Sequence, residues 1–281
     1  MVRMGFSLEG EYSIPLSRLI MLIRENGFSA VSPSWSPELD LRELFRLVEN
    51  QGMEIQSLHA HHKNITKLWE PGTETAGNVL KNIMLCQEDC QRFGIPILVI
   101  HGWQGLGYIF PDTPLDYRYF DQIVEHTQKL GIRIAFENLE GEEYLAALMA
   151  RYDLPCVGFC FDSGHDHCYP HKTDFLDAYG HRLIMTHLND NLGVRDPGGI
   201  HSKFDDLHFL PGDGSLDWNR VTKRLAKAAP QTILNFELKK VSKSKDPIDL
   251  IYAPLSLEEY LIQAGEKARK IAAMYSALIC K

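Results

Sequence analysis

The sequence alternates short β-rich runs with longer helical stretches along its whole length. Eight runs have the apolar and β-branched character of strands: residues 4–9, 28–34, 54–60, 96–102, 133–138, 157–165, 183–190 and 232–238. Amphipathic stretches typical of helices lie between them, among which are 41–52, 76–94, 118–131, 216–228 and, at the end, 257–279. Three of these stretches finish at a glycine directly before the next strand, as helix-to-strand connections commonly do: Gly52, Gly94 and Gly131. The pattern predicts repeated βα units.

The number and continuity of the βα units predict the architecture that they form. Eight βα units with no linker and no change of composition between them favour a single domain over residues 1–281. In the α/β class, eight such units fold as a closed (β/α)8 barrel, for which 281 residues is an ordinary length. An open, doubly wound sheet is the alternative architecture.

Composition excludes several classes of protein. No run of about 18 apolar residues occurs, so no membrane span is predicted. The first twelve residues lack the basic-then-apolar pattern of a signal peptide, which leads us to expect a cytoplasmic setting. The six cysteines include no CxxC pair, and a chain of this length does not need a disulfide framework. The net charge of −8 argues against nucleic acid as the main partner.

Polar side chains recur at the ends of six consecutive strand-like runs. These residues are His59, His101, Glu137, Asp162, His187 and Glu237. Because the carboxyl ends of barrel strands converge on one face, six imidazoles and carboxylates gathered there need a shared cation or a complete hydrogen-bond network. Mixed nitrogen and oxygen ligands suit manganese, zinc, cobalt or iron better than calcium. The sequence therefore predicts a divalent-metal site at the strand ends.

Three further residues are candidates for additional metal or substrate ligands. His165 follows Asp162 by three residues, just beyond the sixth run. Asp206 and His208 lie in the irregular segment 190–218, which follows the seventh run on the face where barrels carry their active sites. Long irregular segments within compact domains are more often functional than not. We expect this segment to place both side chains above the metal site.

Two other groups of residues have a functional and an ordinary interpretation. Four aromatic residues follow predicted strands and suit either a sugar-binding wall or the core: Trp69, Trp103, Tyr108 and Phe110. Trp103, directly after His101 and Gly102, is the strongest candidate for substrate binding. The basic run 239–245 is typical of a solvated connection, although a substrate phosphate is its alternative ligand, because barrels often bind phosphate near their last strands.

Several short motifs, taken in order, resemble the xylose isomerase-like barrel superfamily, which includes sugar phosphate isomerases and epimerases and the endonuclease IV family. The motifs are FEN with Glu137, FDSGH with Asp162 and His165, HLNDN with His187, the segment DLHFLPGDGSLDW, and FEL with Glu237. In the isomerases and epimerases, the resemblance implies one divalent metal held by Glu137, Asp162, His187 and Glu237. It also implies that Glu137 and Glu237 remove and return a proton beside a carbonyl through an enediolate, with His165 contacting substrate oxygens.

The same resemblance leaves a second activity open. Endonuclease IV proteins bind three zinc ions through nine ligands, and this chain has a counterpart of each: His59, His101, Glu137, Asp162, His165, His187, Asp206, His208 and Glu237. Zinc-dependent hydrolysis of phosphodiesters is therefore the alternative to isomerisation. The acidic balance of the chain favours a small sugar, sugar phosphate or related polyol as substrate.

The remaining expectations follow from the same resemblance. The cofactor is a divalent metal (manganese, zinc, cobalt or magnesium), with more than one zinc ion in the hydrolytic alternative. Another metal-dependent reaction of a keto or hydroxy compound, such as dehydration, and a non-catalytic binding barrel are lesser alternatives. A homodimer is common among the resembled proteins.

Overall fold

Parallel strands form the wall of a barrel in the computed structural model, which describes residues 2–9, 12–241, 246 and 250–280. The strands are β1 (Arg3–Leu8), β2 (Ala30–Pro33), β3 (Glu54–Ile55), β4 (Ser57–His59), β5 (Ile97–His101), β6 (Arg133–Glu137), β7 (Val157–Asp162), β8 (Leu183–His187) and β9 (Ile233–Phe236). Only Gln56 separates β3 from β4, and together they form the third predicted strand. Each of the eight predicted strands is thus confirmed, with some differences at the ends.

Two sheets join edge to edge to close the barrel. One has the order β3-β2-β1-β9 and the other the order β4-β5-β6-β7-β8, with parallel pairing throughout. Isolated parallel bridges between Ser34 and His59 and between Leu188 and Phe236 connect the two sheets at both seams. At the second seam the Leu188 amide donates to the Asn235 carbonyl at 2.9 Å. The strands therefore follow chain order around a (β/α)8 barrel.

Helices surround the strands. They are α1 (Leu16–Glu25), α2 (Leu41–Asn50), α3 (Glu74–Arg92), α4 (Arg118–Leu130), α5 (Glu142–Arg151), α6 (Ser163–Cys168), α7 (Phe175–Tyr179), α8 (Trp218–Leu225) and α9 (Leu257–Ile279), with short 3-10 helices at Ile65–Trp69 and Gly180–Arg182. The five predicted helices are confirmed, whereas the pattern does not reveal α1, α5, α6 and α7. Within the described residues, no helix combines the length and the apolar character needed to cross a membrane.

The sixth predicted strand ends earlier than its sequence indicates. Residues 157–165 read as one extended run, but β7 stops at Asp162 and α6 begins at Ser163. The reason is local, because the Asp162 side chain accepts a hydrogen bond from the His165 amide at 2.7 Å and so caps the helix. This cap turns His165 back over the barrel mouth.

Alternate residues of the central strands face the barrel interior. Five inward side chains form a small apolar cluster, separate from the main core between strands and helices: Ile97, Val99, Ala135, Cys160 and Met185. Their outward neighbours, such as Leu98 and Phe136, pack in the main core. Since successive strand residues point to opposite faces, the inward rows continue upward to four polar residues. These are His101, Glu137, Asp162 and His187.

Candidate metal centre

Strand register brings the inward polar residues side by side. His101 is the register partner of Glu137, and Asp162 is the partner of His187. Ligand atoms of Glu137, Asp162, His187 and Glu237 all lie within 4.8 Å of one another, and the four residues are buried. They are the four residues that the family resemblance assigns to a single metal ion.

Three imidazoles crowd the Glu137 carboxylate. Its Oε2 lies 3.2 Å from the Nε2 atoms of His59 and His101, and its Oε1 lies 2.9 Å from His187 Nδ1. His187 Nδ1 is also 2.8 Å from Glu237 Oε2. Atoms of His59, Glu137 and His187 form a second group compact enough to hold an ion.

The remaining three predicted residues form an outer group at the same mouth. Asp206 Oδ2 lies 2.7 Å from His208 Nε2 and 3.5 Å from His165 Nε2. The outer group adjoins the inner one, because His208 Nδ1 is 3.3 Å from Glu237 Oε1 and His165 Nδ1 is 3.5 Å from Glu137 Oε1. The structure therefore brings all nine predicted metal residues together.

The segment between β8 and α8 reaches the mouth because Asp190 anchors it. The fully buried Asp190 carboxylate accepts hydrogen bonds from the amides of Asn191, Gly212 and Leu216 and from the Trp218 indole, at 2.8 to 3.1 Å. Backbone hydrogen bonds also join Asp190 and Phe209 in both directions. These contacts fix the irregular segment that carries Asp206 and His208.

Burial and mutual attraction set the ionisation of the centre. Burial opposes ionisation of Glu137 and Glu237, but the surrounding imidazoles outweigh it and hold the pKa of each well below its ordinary value. Burial, opposed by His165 and reinforced by neighbouring carboxylates, raises the pKa of Asp162 to about 7. A nearby cation has the opposite effect on a carboxyl, because it favours the charged form.

A divalent cation would satisfy these imidazole and carboxylate groups better than the hydrogen bonds among them do. His187 Nδ1 can donate one hydrogen bond, yet carboxylate oxygens of two glutamates lie within 2.9 Å of it. Among the described residues, the buried atoms Glu237 Oε2 and Asp206 Oδ1 find no partner in hydrogen-bonding geometry, although Glu237 Oε2 lies close to His187 Nδ1. His208 Nε2 lies 2.7 Å from Asp206 and 3.0 Å from Lys239 Nζ, and it cannot donate to the carboxylate while it accepts from the ammonium. Imidazole nitrogens and carboxylate oxygens at such separations are typical ligands of zinc and related ions.

A cavity of about 430 Å³ opens from the centre toward solvent. Its lining includes residues that the sequence analysis does not single out, namely Glu9, Gln104, Glu140, Tyr169, Lys203 and Lys239. Lys239 Nζ lies 2.8 Å from Glu9 Oε2, and the two groups close one side of the cavity. A signal for Glu9 exists in the sequence, because it follows the first strand as the metal residues follow theirs.

The aromatic candidates lie to one side of this cavity. Gln104 lines the cavity, whereas Trp103 does not belong to the described residues that line it. The Trp103 ring stacks on Tyr144 at 4.1 Å and its Nε1 donates to the Gly105 carbonyl at 3.0 Å. Trp69 is buried and donates to the Gly102 carbonyl. Tyr108 and Phe110 line an adjoining cavity. Of the basic run 239–245, residues 242–245 lie outside the described residues.

The chain belongs to the xylose isomerase-like TIM barrel family, whose sequence model matches residues 20–256. A relative from Sinorhizobium fredii, the uncharacterized protein y4fM, is 30% identical over an alignment that covers 77% of this chain and 78% of the relative. An L-ribulose 3-epimerase structure superposes with a TM-score of 0.72 at 12% identity, covering 99% of this chain and 96% of that one. The IolI protein, solved with a zinc atom, gives a TM-score of 0.69 at 16% identity, covering 98% and 99%. At such identities the solved structures show a shared fold.

Proposed function

We propose that this protein is a metal-dependent isomerase or epimerase of a small sugar, sugar phosphate or related polyol. The observation that carries the proposal is the pairing of two buried glutamates, Glu137 and Glu237, across one imidazole nitrogen at the strand ends, with Asp162 completing the group. In this proposal the four residues hold one divalent ion, which supplies the positive charge that stabilises the oxygens of an enediolate. The cavity has room for a substrate of that size.

The two glutamates have different surroundings, and this difference is the basis for assigning proton abstraction to one and proton return to the other. Glu137 accepts hydrogen bonds from His59 and His187, whereas Glu237 Oε2 receives none in good geometry from the residues that the structure describes. We assign the first proton abstraction, from the carbon beside the substrate carbonyl, to Glu237, and the return of a proton to Glu137. We further assign to His165, which lies between Asp162 and Asp206, the contact with a substrate oxygen.

Exchange of carbon-bound hydrogen tests this mechanism. The metal-loaded protein is incubated with a panel of ketoses in D2O, and incorporation of deuterium next to the carbonyl is followed by NMR. We expect incorporation with the wild type, a loss of at least about a hundredfold in Glu237→Gln, and no change in the matched control Glu266→Gln on the exposed face of α9. Full exchange in Glu237→Gln would refute the two-glutamate mechanism.

Phosphodiester hydrolysis stays a second candidate because of one specific observation. His59, His101, His165, Asp206 and His208 converge on the same mouth, although a single ion needs none of them. Two to three zinc ions per chain by elemental analysis, with hydrolysis of bis(4-nitrophenyl) phosphate, would favour this candidate. One ion per chain and no hydrolysis would exclude it. Binding of a nucleic acid needs several contacts between cationic side chains and phosphates. The cavity lining includes two lysines, one of which is paired with Glu9, and this argues against a nucleic acid as substrate.

The remaining expectations stay predictions. They are the single-domain organisation, the cytoplasmic setting, the homodimer, the identity of the metal and the sugar-stacking role of Trp103.

A further inference from the structure

Glu140 is a buried carboxylate that the proposed chemistry does not use. The residue is 5% exposed, its Oε2 is fully enclosed, and it makes no hydrogen bond or ion pair within the described part of the chain. It lies three residues after Glu137, yet it belongs to neither group of candidate metal ligands. Burying a charge without a partner is costly, so a carboxylate retained in this position points to a ligand that supplies the missing partner.

Glu140 stands where two cavities meet. It lines the metal cavity and also an adjoining cavity of about 670 Å³, and Tyr169 likewise lines both. We call the second cavity the vestibule; its other lining residues include Leu106, Tyr108, Phe110, Glu142, Glu143 and Lys172. The Tyr169 ring stacks on His165 with a centroid separation of 5.2 Å, so the vestibule begins directly beside the centre.

The vestibule has the chemistry of a site for an uncharged, hydroxylated ring. Tyr108, Phe110 and Tyr169 line it and supply aromatic surface, on which the C–H face of such a ring can pack. Its carboxylates, Glu140, Glu142 and Glu143, outnumber its lysine, so a phosphate would meet repulsion there. Glu142 and Glu143 already accept hydrogen bonds, from the Lys172 amide and the Tyr108 hydroxyl, which leaves Glu140 to bind substrate hydroxyls.

Packing behind Glu140 holds it in position. A Cβ built on the next residue, Gly141, would lie 2.5 Å from the Trp103 Cβ, so only glycine allows the loop to approach the tryptophan this closely. Trp103 is fixed in turn by stacking on Tyr144. These contacts fix the position of the loop that carries Glu140 between the two cavities.

We propose that Glu140 and the vestibule form a second subsite that binds an uncharged, hydroxylated ring attached to the reacting sugar. The preferred substrate is then a glycosylated sugar and not a phosphorylated one. This inference rests on the proposed function, because the reacting part of the substrate is taken to sit at the metal centre.

Three probes that differ at one position test the subsite. D-fructose, D-fructose 6-phosphate and isomaltulose share a ketose that carries, at O6, a hydrogen, a phosphate or a glucosyl unit. Dissociation constants are measured with the metal-loaded protein by calorimetry or by saturation-transfer NMR. We expect isomaltulose to bind at least about fivefold more tightly than fructose, and the phosphate to bind no more tightly than fructose.

Two variants and one control locate the preference. Glu140→Gln, which keeps the shape and removes the charge, and Phe110→Ser should each reduce the preference for isomaltulose about fivefold or more without weakening fructose. Glu266→Gln should change nothing. As a readout independent of substrate, Glu140→Gln should keep or raise the melting temperature, because it removes an unpartnered buried charge. A structural role for Glu140 would instead lower it.

Each other outcome has a defined meaning. Equal binding of isomaltulose and fructose, tightest binding of the phosphate, or an unchanged preference in Glu140→Gln overturns the subsite. Absence of binding by any probe overturns it too. Deuterium exchange into fructose without a preference for isomaltulose overturns the subsite alone, whereas binding of isomaltulose without any exchange overturns the proposed reaction alone.

Discussion

Replacement of Asp190 by asparagine should destabilise the protein strongly, although the two side chains have nearly the same shape. Each carboxylate oxygen of Asp190 accepts two hydrogen bonds, Oδ1 from the amides of Asn191 and Leu216, and Oδ2 from the Gly212 amide and the Trp218 indole. An amide group offers one oxygen and one NH2. In either orientation of the asparagine amide, its NH2 group takes the place of one carboxylate oxygen, and the two buried N–H groups that donated to that oxygen lose their acceptor.

The magnitude follows from those two lost hydrogen bonds. A buried donor left without an acceptor costs roughly 1–3 kcal/mol, so the two donors in Asp190→Asn should lower the free energy of unfolding by about 2–6 kcal/mol. Urea unfolding is followed by circular dichroism and by tryptophan fluorescence, whose midpoints should coincide if unfolding is two-state. Because Asp190 fixes the segment that carries Asp206 and His208, the amount of metal bound per chain should fall if more than one ion binds.

The control lies in the same segment. Asp196 is exposed, and its side chain accepts one hydrogen bond, from the Gly198 amide. Asp196→Asn should stay within about 0.5 kcal/mol of the wild type. Trp218→Phe removes one of the donors that confront the asparagine, so the double variant Asp190→Asn, Trp218→Phe should lose less stability than the sum of the single losses. A loss below about 0.5 kcal/mol in Asp190→Asn would refute the reasoning.

Three further perturbations have expected results. Gly141→Ala should lower stability by about 1–3 kcal/mol in urea unfolding, because its Cβ would lie 2.5 Å from the Trp103 Cβ; an unchanged midpoint would contradict that packing. The hydrogen bond from Arg151 lowers the pKa of Asp121 in the folded protein. The difference in unfolding free energy between the wild type and Asp121→Asn should therefore be largest above the unfolded pKa of about 3.9 and should disappear as the pH falls through the folded pKa. A difference that persists at lower pH would speak against this ion pair. Removal of bound metal by a chelator should lower the melting temperature, since an ion at 100 times its Kd stabilises by about 2.7 kcal/mol; identical melting with and without metal would exclude binding at the centre.

The sequence predicts which polar side chains gather at the barrel mouth, because two simple periodicities combine. Strands of a barrel point alternate residues inward and end at one face, so a polar residue that closes an apolar run, such as His101 or Glu137, can be placed without knowing any other contact. Asp206 and His208 are predicted from the length and place of the irregular segment 190–218, because no periodicity could place them. Their position depends on the hydrogen bonds of Asp190, and those connect residues that no regular spacing relates.

The residues that the sequence does not reveal depend on contacts between distant segments. Glu9 ends the first predicted strand, but its pairing with Lys239, from the opposite end of the chain, is a tertiary contact that no spacing indicates. Trp103 follows a strand as a ligand-binding residue would, but its stacking on Tyr144 is a tertiary contact that the sequence cannot show. The early end of β7 is different, because the cap by Asp162 is local, although the apolar run FCF conceals it.

The apolar cluster beneath the centre explains why so many charged groups must balance one another there. Val99, Ala135, Cys160 and Met185 are fully buried and lie directly below the polar ends of their strands. Water therefore has no access to Glu137 or Asp162 from that side, and charges in such surroundings interact more strongly than they do in water. Carboxylates placed there need cations or imidazoles within contact distance, which the inner and outer groups provide. Glu140 lies at the edge of the same mouth, but within the described part of the chain no imidazole or cation pairs with it, and this difference is the reason for assigning it to a separate subsite.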